Sequence, residues 1–184
     1  MDKIVTILSF SDRNDGNCAK IMQHINNFYI RTNVFCFKIT SEVFGPCGKC
    51  DYECMRSGLH CPNISEEQIT IMDTICQSDI VYYIVPNYCG FPCANYFAFN
   101  ERSVGYFDSD RSRMDSYMNV RKCFIIVSNS EGFEEALQQQ TFDKPDILYL
   151  KSRAYRKQSI AGDLMESKEA LVDLNQFLRQ NTEK

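Results

Sequence analysis

Short apolar runs alternate along the chain with segments in which apolar residues recur at helical spacing. Five runs predict buried strands, at residues 3–8, 33–39, 79–86, 121–128 and 146–150. Five segments predict helices, at residues 17–30, 65–76, 92–102, 131–140 and 170–178. Asn17 is the expected N-cap of the first helix, and Ser65 with Gln68 forms a capping box for the second. Residues 103–119 have no strong pattern and are expected to form a surface loop.

The third predicted strand is apolar at almost every position, which is typical of a strand covered on both faces. Strands that alternate with helices favour a parallel sheet with right-handed crossovers, so we expect a three-layer α/β domain spanning residues 1–184. In such folds ligands bind beyond the carboxyl ends of the strands. Candidate chemistry is therefore expected in the loops that follow strands one, three and four.

Composition and charge exclude several classes of function. The formal net charge is −4, which gives no basic field for nucleic acid. The longest apolar run, residues 80–86, is far too short to span a bilayer, and the first ten residues lack the pattern of an export signal, so we expect a cytoplasmic protein with no membrane partner. Only two histidines are present, so the chemistry is expected to belong to a bound cofactor.

The loop after the first strand opens directly onto a helix, where unpaired N–H groups and the helix dipole favour an anion. Arg13 is its only cation, and Gly16 permits the turn. The loop has neither a Walker pattern nor G-x-G-x-x-G, so a monophosphate is the expected guest, although a loop that binds nothing is the alternative. The candidate phosphate-binding residues are Ser9, Ser11, Arg13, Asn17 and Cys18.

The loops after strands three and four offer an aromatic ring and amide donors, which suit the edge of a flat polar ring. The alternative is that the aromatic residues only pack beneath the next helix. The candidate residues of the first of these loops are Pro86, Asn87, Tyr88, Cys89 and Gly90. Those of the second are Ser128, Asn129, Ser130, Glu131 and Gly132.

The 11–17 and 85–92 stretches, read together, resemble the flavodoxin-like NAD(P)H-dependent FMN reductases, and the likeness runs in order through most of the chain. The resemblance implies a flavodoxin-like five-stranded parallel sheet in the order 2-1-3-4-5 with helices on both faces. It also implies that FMN phosphate binds at residues 9–18 and that the isoalloxazine lies between residues 86–90 and 128–132. Family members commonly pair, so a homodimer is among the expected states.

A cysteine-rich loop at residues 45–62 interrupts the alternation of strands and helices. Its spacing, C-x2-C-x3-C-x6-C, would let four thiolates converge on an iron-sulfur cluster or, less favoured, a zinc ion, with His60 as a spare ligand. The loop resembles that of iron-sulfur flavoproteins, in which the first three cysteines are typically two residues apart each time. The alternative is a loop of free or redox-active thiols. The candidate ligands are Cys47, Cys50, Cys54 and Cys61.

These features predict an FMN-dependent oxidoreductase that accepts hydride from NAD(P)H and passes electrons to a flavin, a quinone or an iron-sulfur acceptor. No catalytic side chain is expected, because the flavin does the chemistry. Its partners would be a nicotinamide nucleotide and a small-molecule or protein electron acceptor. Two alternatives stay open: a flavodoxin-like electron carrier that does not react with NAD(P)H, and a zinc-stabilised interaction module without flavin.

Overall fold

The computed structural model describes residues 3–30, 32–48, 50–56, 60–108, 111–130, 132, 137 and 144–183. A sheet of parallel strands forms its centre. The parallel strands are β1 (Ile4–Ser9), β2 (Asn33–Lys38), β3 (Ile80–Tyr88), β5 (Arg121–Val127) and β6 (Asp146–Leu150). Their order in the sheet is β2-β1-β3-β5-β6. The two-residue strand β4 (Phe91–Pro92) pairs antiparallel with β3. The fold is therefore flavodoxin-like, and the predicted order of the five parallel strands is confirmed.

The expected strand count needs one correction, because β4 is a sixth strand. Pro92 pairs with Asn87 in this short ladder, so it belongs to a strand and not to the helix predicted to begin there. The central position of β3 is confirmed. It is buried at eight successive positions, and it pairs with β1 on one side and β5 on the other.

Five α-helices in the described part of the chain cover the sheet. They are α1 (Asn17–Phe28), α2 (Glu66–Cys76), α3 (Ala94–Asp108), α4 (Arg111–Asn119) and α5 (Lys168–Glu183). Short 3-10 turns lie at Glu53–Met55, Ser152–Tyr155 and Leu164–Glu166. The capping box of α2 is confirmed, since the Ser65 side chain accepts from the Gln68 N–H and the Gln68 side chain accepts from the Ser65 N–H. Most of the helix predicted at 131–140 lies outside the described residues.

Two local predictions were wrong. The N-cap of α1 is Gly16, and Asn17 is the first helical residue. The surface loop predicted at residues 103–119 is helical where it is described, because α3 continues to Asp108 and α4 follows. Tyr117 is the buried hydrophobic residue through which α4 packs against the core. Most other residues of α4 are polar or charged, so apolar residues do not recur at helical spacing in this part of the sequence.

Alternate side chains of β3 enter two separate cores. Tyr83 lies in the core beneath α2, α3 and α4, where it stacks on Phe124. Tyr82 lies in the core beneath α1 and α5, where its hydroxyl bonds to that of Tyr29 at 2.6 Å. Both faces of the sheet are therefore occupied by helices, which leaves the strand ends as the place for a site. Within the described ranges, no helix has the length and apolarity to cross a bilayer.

Candidate functional site

A cavity of about 380 Å³ opens at the carboxyl ends of β1, β3 and β5. It lies where the strand order reverses between β1 and β3, the usual ligand position in open α/β sheets. The lining residues come from the three loops expected from the sequence and from one further segment. They are Ser11, Arg13, Gly16, Asn17, Cys18, Pro86, Asn87, Tyr88, Cys89, Val127, Ser128, Asn129, Ser130, Ser159 and Ile160.

Four candidate residues do not line this cavity or cannot be placed in it. Ser9 is buried in the sheet, where its carbonyl accepts from the Ile39 N–H. Gly90 and Gly132 do not line the cavity, and they lie so close together that a Cβ added at Gly132 would be 3.3 Å from Gly90 Cα. Glu131 lies outside the described residues. The phosphate-loop and ring-loop candidates that do line the cavity are thus brought together at one edge of the sheet.

The N-terminus of α1 supplies backbone donors at one end of the cavity. Gly16 caps this helix in an extended conformation, no side chain in the described part of the chain accepts from the first-turn N–H groups, and no acidic residue lies in that turn. Unpaired N–H groups at the positive end of a helix dipole favour an anion. The acidic residue nearest in sequence on the loop side, Asp15, is exposed, and Asp12 accepts a hydrogen bond from Asn95 at 3.1 Å.

Arg13 places a cation at the same end. A Cβ at Gly16 would lie 3.2 Å from Arg13 Cβ and 3.5 Å from Nε, so the glycine allows the arginine to pack across the helix start. One guanidinium nitrogen, Nη2, donates to the Ile160 carbonyl at 2.9 Å. A guanidinium has five N–H donors, so the others remain for an anionic ligand.

Asn17 connects the start of α1 to the segment before α5 through two hydrogen bonds. Its Nδ2 donates to the Ser159 carbonyl at 3.2 Å, and its Oδ1 accepts from the Leu164 N–H at 3.0 Å. The side chain therefore makes tertiary contacts on both of its polar atoms. Asn17 could therefore contribute to anion binding through its backbone at the first turn of α1 rather than through its side chain.

A tight turn between β3 and β4 forms another part of the cavity wall. Cys89 and Gly90 have φ values of 56° and 88°, the positive values of a two-residue hairpin turn. The turn exposes Tyr88, of which 64% is accessible, beside the cavity. An exposed aromatic ring next to a cavity is suited to stacking on a flat ligand.

Asn87 joins the second loop to the third. Its Oδ1 accepts from the Gly90 N–H at 2.9 Å and its Nδ2 donates to the Ser130 carbonyl at 3.0 Å. Gly132, with φ of 112°, approaches so closely that an added Cβ would lie 3.1 Å from the Gly90 carbonyl oxygen. The two loops predicted to hold a ring therefore support each other.

Ser159 and Ile160 line the cavity although sequence reasoning did not select them. They belong to the polar connection between β6 and α5. Asn129 reaches this connection through Nδ2, which donates to Ser159 Oγ at 2.9 Å, and its Oδ1 accepts from the Arg153 N–H at 2.8 Å. The sequence marks these residues only weakly as part of the site, because most of their contacts are made by backbone atoms, which every residue has.

The thiol of Cys18 is at the cavity wall but is poorly suited to react. Burial raises its pKa from 9.0 to about 12, and the neighbouring Cys93 adds to the increase. A thiol rather than a thiolate is therefore present near neutral pH. Cys89 is exposed on the hairpin turn.

Helix α3 anchors both ends of the cysteine-rich loop. Arg102 donates to the carbonyls of Gly45 at 2.8 Å and Pro46 at 2.9 Å, and Glu101 accepts from the Cys47 N–H at 3.2 Å. At the other end, a Cβ at Gly105 would lie only 2.7 Å from Cys61 Cβ.

The four thiols of this loop are neighbours without forming a ligand set. Cys54 is buried, and its pKa is raised by burial and by the charges of Cys61, Cys47 and Cys50. Yet no group of three or more His, Cys, Asp or Glu side chains in the described ranges is arranged to hold a metal ion. The described residues therefore do not support the expected iron-sulfur cluster or zinc ion. None of the four cysteines is in a disulfide, and His60 is exposed.

No family model and no curated protein matches the chain. Solved structures do match, and they share the fold. Smu.1420 from Streptococcus mutans is 13% identical with a TM-score of 0.62, covering 94% of this chain and 99% of its own. The Trp repressor binding protein of Bacillus subtilis is 13% identical with a TM-score of 0.60, covering 96% of this chain and 97% of its own. An FMN-dependent NADH-azoreductase from Bacillus anthracis, solved with FMN, is 11% identical with a TM-score of 0.57, covering 100% and 99%.

Proposed function

We propose that the chain binds FMN in the cavity at the carboxyl edge of the sheet and is an oxidoreductase that accepts hydride from NADH or NADPH. The observation that carries the proposal is the composition of this one cavity. At one end lie a helix N-terminus with unpaired donors and an arginine, and at the other lie two mutually supported loops with an exposed aromatic ring.

The phosphate end fits a monoester dianion. Among the described residues, the first-turn N–H groups of α1 have no side-chain acceptor, and buried or half-buried donors of that kind need a partner. Arg13 adds a charge-assisted bond to the phosphate oxygens. Because no lysine among the described residues lines the cavity, a single phosphate is favoured over a triphosphate.

The ring end fits an isoalloxazine. Tyr88 lines the cavity and is 64% exposed, and Cys89 and Ser130 line the cavity beside it. Asn87 holds these two loops at a fixed separation through its two hydrogen bonds. A fixed slot keeps the flat ligand in one orientation, so that a second flat molecule can approach its open face.

When bound, FMN supplies the redox chemistry, because it can take up a hydride and release electrons in one or two steps. The residues of the chain bind and orient it and need supply no acid or base. Two further solved structures that share the fold support this assignment. One is FerB of Paracoccus denitrificans, named a flavoenzyme NAD(P)H:(acceptor) oxidoreductase, and the other is a Klebsiella pneumoniae protein named a putative quinone reductase. A small planar acceptor such as a quinone is the acceptor we propose.

Stopped-flow absorbance tests the proposal. The purified chain is loaded with FMN, made anaerobic and mixed with NADH or with NADPH. We expect the bound flavin's visible absorbance to bleach, and to recover when a quinone is added. If flavin binds but neither nucleotide bleaches it, the chain is an electron carrier. If no flavin is retained after FMN is added, the proposal fails as a whole.

A further inference from the structure

The 158–163 segment packs across the phosphate end of the cavity and contributes backbone oxygens there. Three of its carbonyls accept hydrogen bonds from side chains of the first loop and of α1. The bonds are Asn17 Nδ2 to Ser159 O at 3.2 Å, Arg13 Nη2 to Ile160 O at 2.9 Å and Lys20 Nζ to Gly162 O at 2.5 Å. Three side chains near the start of α1 are therefore each hydrogen-bonded to this segment.

Gly162 makes this close packing feasible. Its φ is +69°, and an added Cβ would lie 2.9 Å from the Asp15 carbonyl oxygen and 3.6 Å from Gly16 Cα. A side chain would therefore be strained by the backbone conformation and would also push the segment away from the first loop. On its other side, Ser159 is held by Asn129 through the 2.9 Å bond to its hydroxyl. The segment is thus fixed from both the first and the third loop.

This position restricts what can extend beyond the start of α1. Ile160 lines the cavity and is 77% exposed, so it forms part of the rim at this end. A ligand with one terminal phosphate ends at the helix. A ligand that continues through a second phosphate has to pass Ile160 and the backbone of the 158–163 segment, which the hydrogen bonds of Arg13, Asn17 and Lys20 hold against the start of α1. The cavity volume of about 380 Å³ is also near the lower end of the ~300–1,000 Å³ typical of ligand pockets.

We infer that the 158–163 segment determines ligand specificity, admitting a flavin mononucleotide and excluding flavins extended through a pyrophosphate. The inference rests on the proposed function, because it concerns the same cavity. It adds residues and a selectivity that the three strand-end loops do not provide. Ser159, Ile160 and Gly162 are accordingly specificity-determining positions.

Binding of FMN, FAD and riboflavin, followed by quenching of flavin fluorescence, tests this inference. For the wild-type chain we expect FMN to bind at least tenfold more tightly than FAD. Gly162→Ala should reduce the FMN-to-FAD preference at least threefold, because the segment is displaced from the first loop. Gly48→Ala is the matched control: Gly48 also has a positive φ, of 95°, but no atom lies within 4 Å of the added Cβ and the residue is outside the cavity.

Two further variants decide the matter if Gly162→Ala does not fold. Ile160→Gly removes the rim side chain, and Ser159→Ala removes the bond to Asn129 while leaving the backbone carbonyls in place. Each should lower the FMN preference. The inference is overturned if the wild-type chain binds FAD within twofold of FMN, or if all folded variants keep the wild-type preference. Failure to bind any of the three flavins would instead refute the proposed function.

Discussion

Arg13 is the residue on which the charge of the proposed phosphate site depends. It is the cation that lines the cavity among the described residues, and Gly16 leaves it room to pack across the start of α1. Its bond to the Ile160 carbonyl fixes one nitrogen of the guanidinium and so reduces the side-chain freedom lost on ligand binding. The same bond couples the first loop to the 158–163 segment.

Arg13→Ala should weaken FMN binding by about tenfold, because one charge-assisted hydrogen bond is lost at an exposed position. Riboflavin has no phosphate, so its affinity should change little. Fluorescence titration with both flavins measures the difference, and Arg179→Ala, at an exposed position of α5, is the control. An equal loss of affinity for both flavins would show that Arg13 does not contact the phosphate.

Cys18 makes stability depend on pH above 9. Its folded pKa of about 12 exceeds its unfolded value of 9.0, so the folded state retains a proton that the unfolded state releases. The stabilisation is complete below pH 9 and is lost as the pH rises towards 12, by at most about 1.4 kcal/mol per pH unit. Urea unfolding of the wild type and Cys18→Ala at pH 8 and 10 should show a steeper loss for the wild type. Parallel pH profiles would contradict this prediction.

At the scale of elements, the hairpin turn and the third loop act as one unit through Asn87. Asn87→Ala removes two hydrogen bonds at a buried position, so we expect about 1–3 kcal/mol lower free energy of unfolding. FMN and riboflavin should lose affinity by similar factors, unlike their response to Arg13→Ala. Asn27→Ala, at an exposed position of α1, is the control. Retention of full riboflavin affinity would argue against a ring between these loops.

Helix α3 should hold the cysteine-rich loop through the contact of Gly105 with Cys61. Gly105→Ala should lower the free energy of unfolding by about 1–3 kcal/mol, because its Cβ would lie 2.7 Å from Cys61 Cβ. The rate at which iodoacetamide modifies Cys61 should rise, as peptide mass spectrometry can show. Gly45→Ala is the control, since its nearest contact would be an ordinary 3.5 Å. Unchanged stability and Cys61 reactivity would mean that the loop is not anchored there.

An element can be predicted from the sequence when a pattern of side chains determines it, and is missed when a single tertiary contact does. The strands follow from apolar runs that need cover on both faces, as in β3, and their ends were placed within about two residues. Helix α4 was missed because one buried residue, Tyr117, fastens an otherwise polar segment. The cysteine spacing indicates which thiols can meet, but the distances between them depend on how α3 anchors the loop.

Prediction of the cavity residues from the sequence is limited in the same way, by contacts between distant parts of the chain. The residues of the three strand-end loops could be predicted, because parallel strands bring their carboxyl ends to one edge. Ser159 and Ile160 could not, since Arg13 and Asn17 reach their backbone carbonyls across more than 140 positions of the chain. A carbonyl is present in every residue, so no residue type marks such a contact.

At the scale of the whole molecule, the order of the sheet determines the location of the site. The chain runs from β1 outward to β2 and then crosses to β3 on the other side, which leaves a crevice between the ends of β1 and β3. Helix α1 starts at that crevice and directs its positive end towards it. The chain thus shares the fold of its structural neighbours, and the residues at this crevice suit a flat ligand that carries a phosphate.

A crystal structure of the chain grown with excess FMN tests the central claim most directly. The account predicts phosphate oxygens within hydrogen-bond distance of the first-turn N–H groups of α1 and of Arg13, and the flavin ring between the loops of Asn87 and Ser130. A cavity without flavin under those conditions, or FMN bound with its phosphate away from α1, would contradict it.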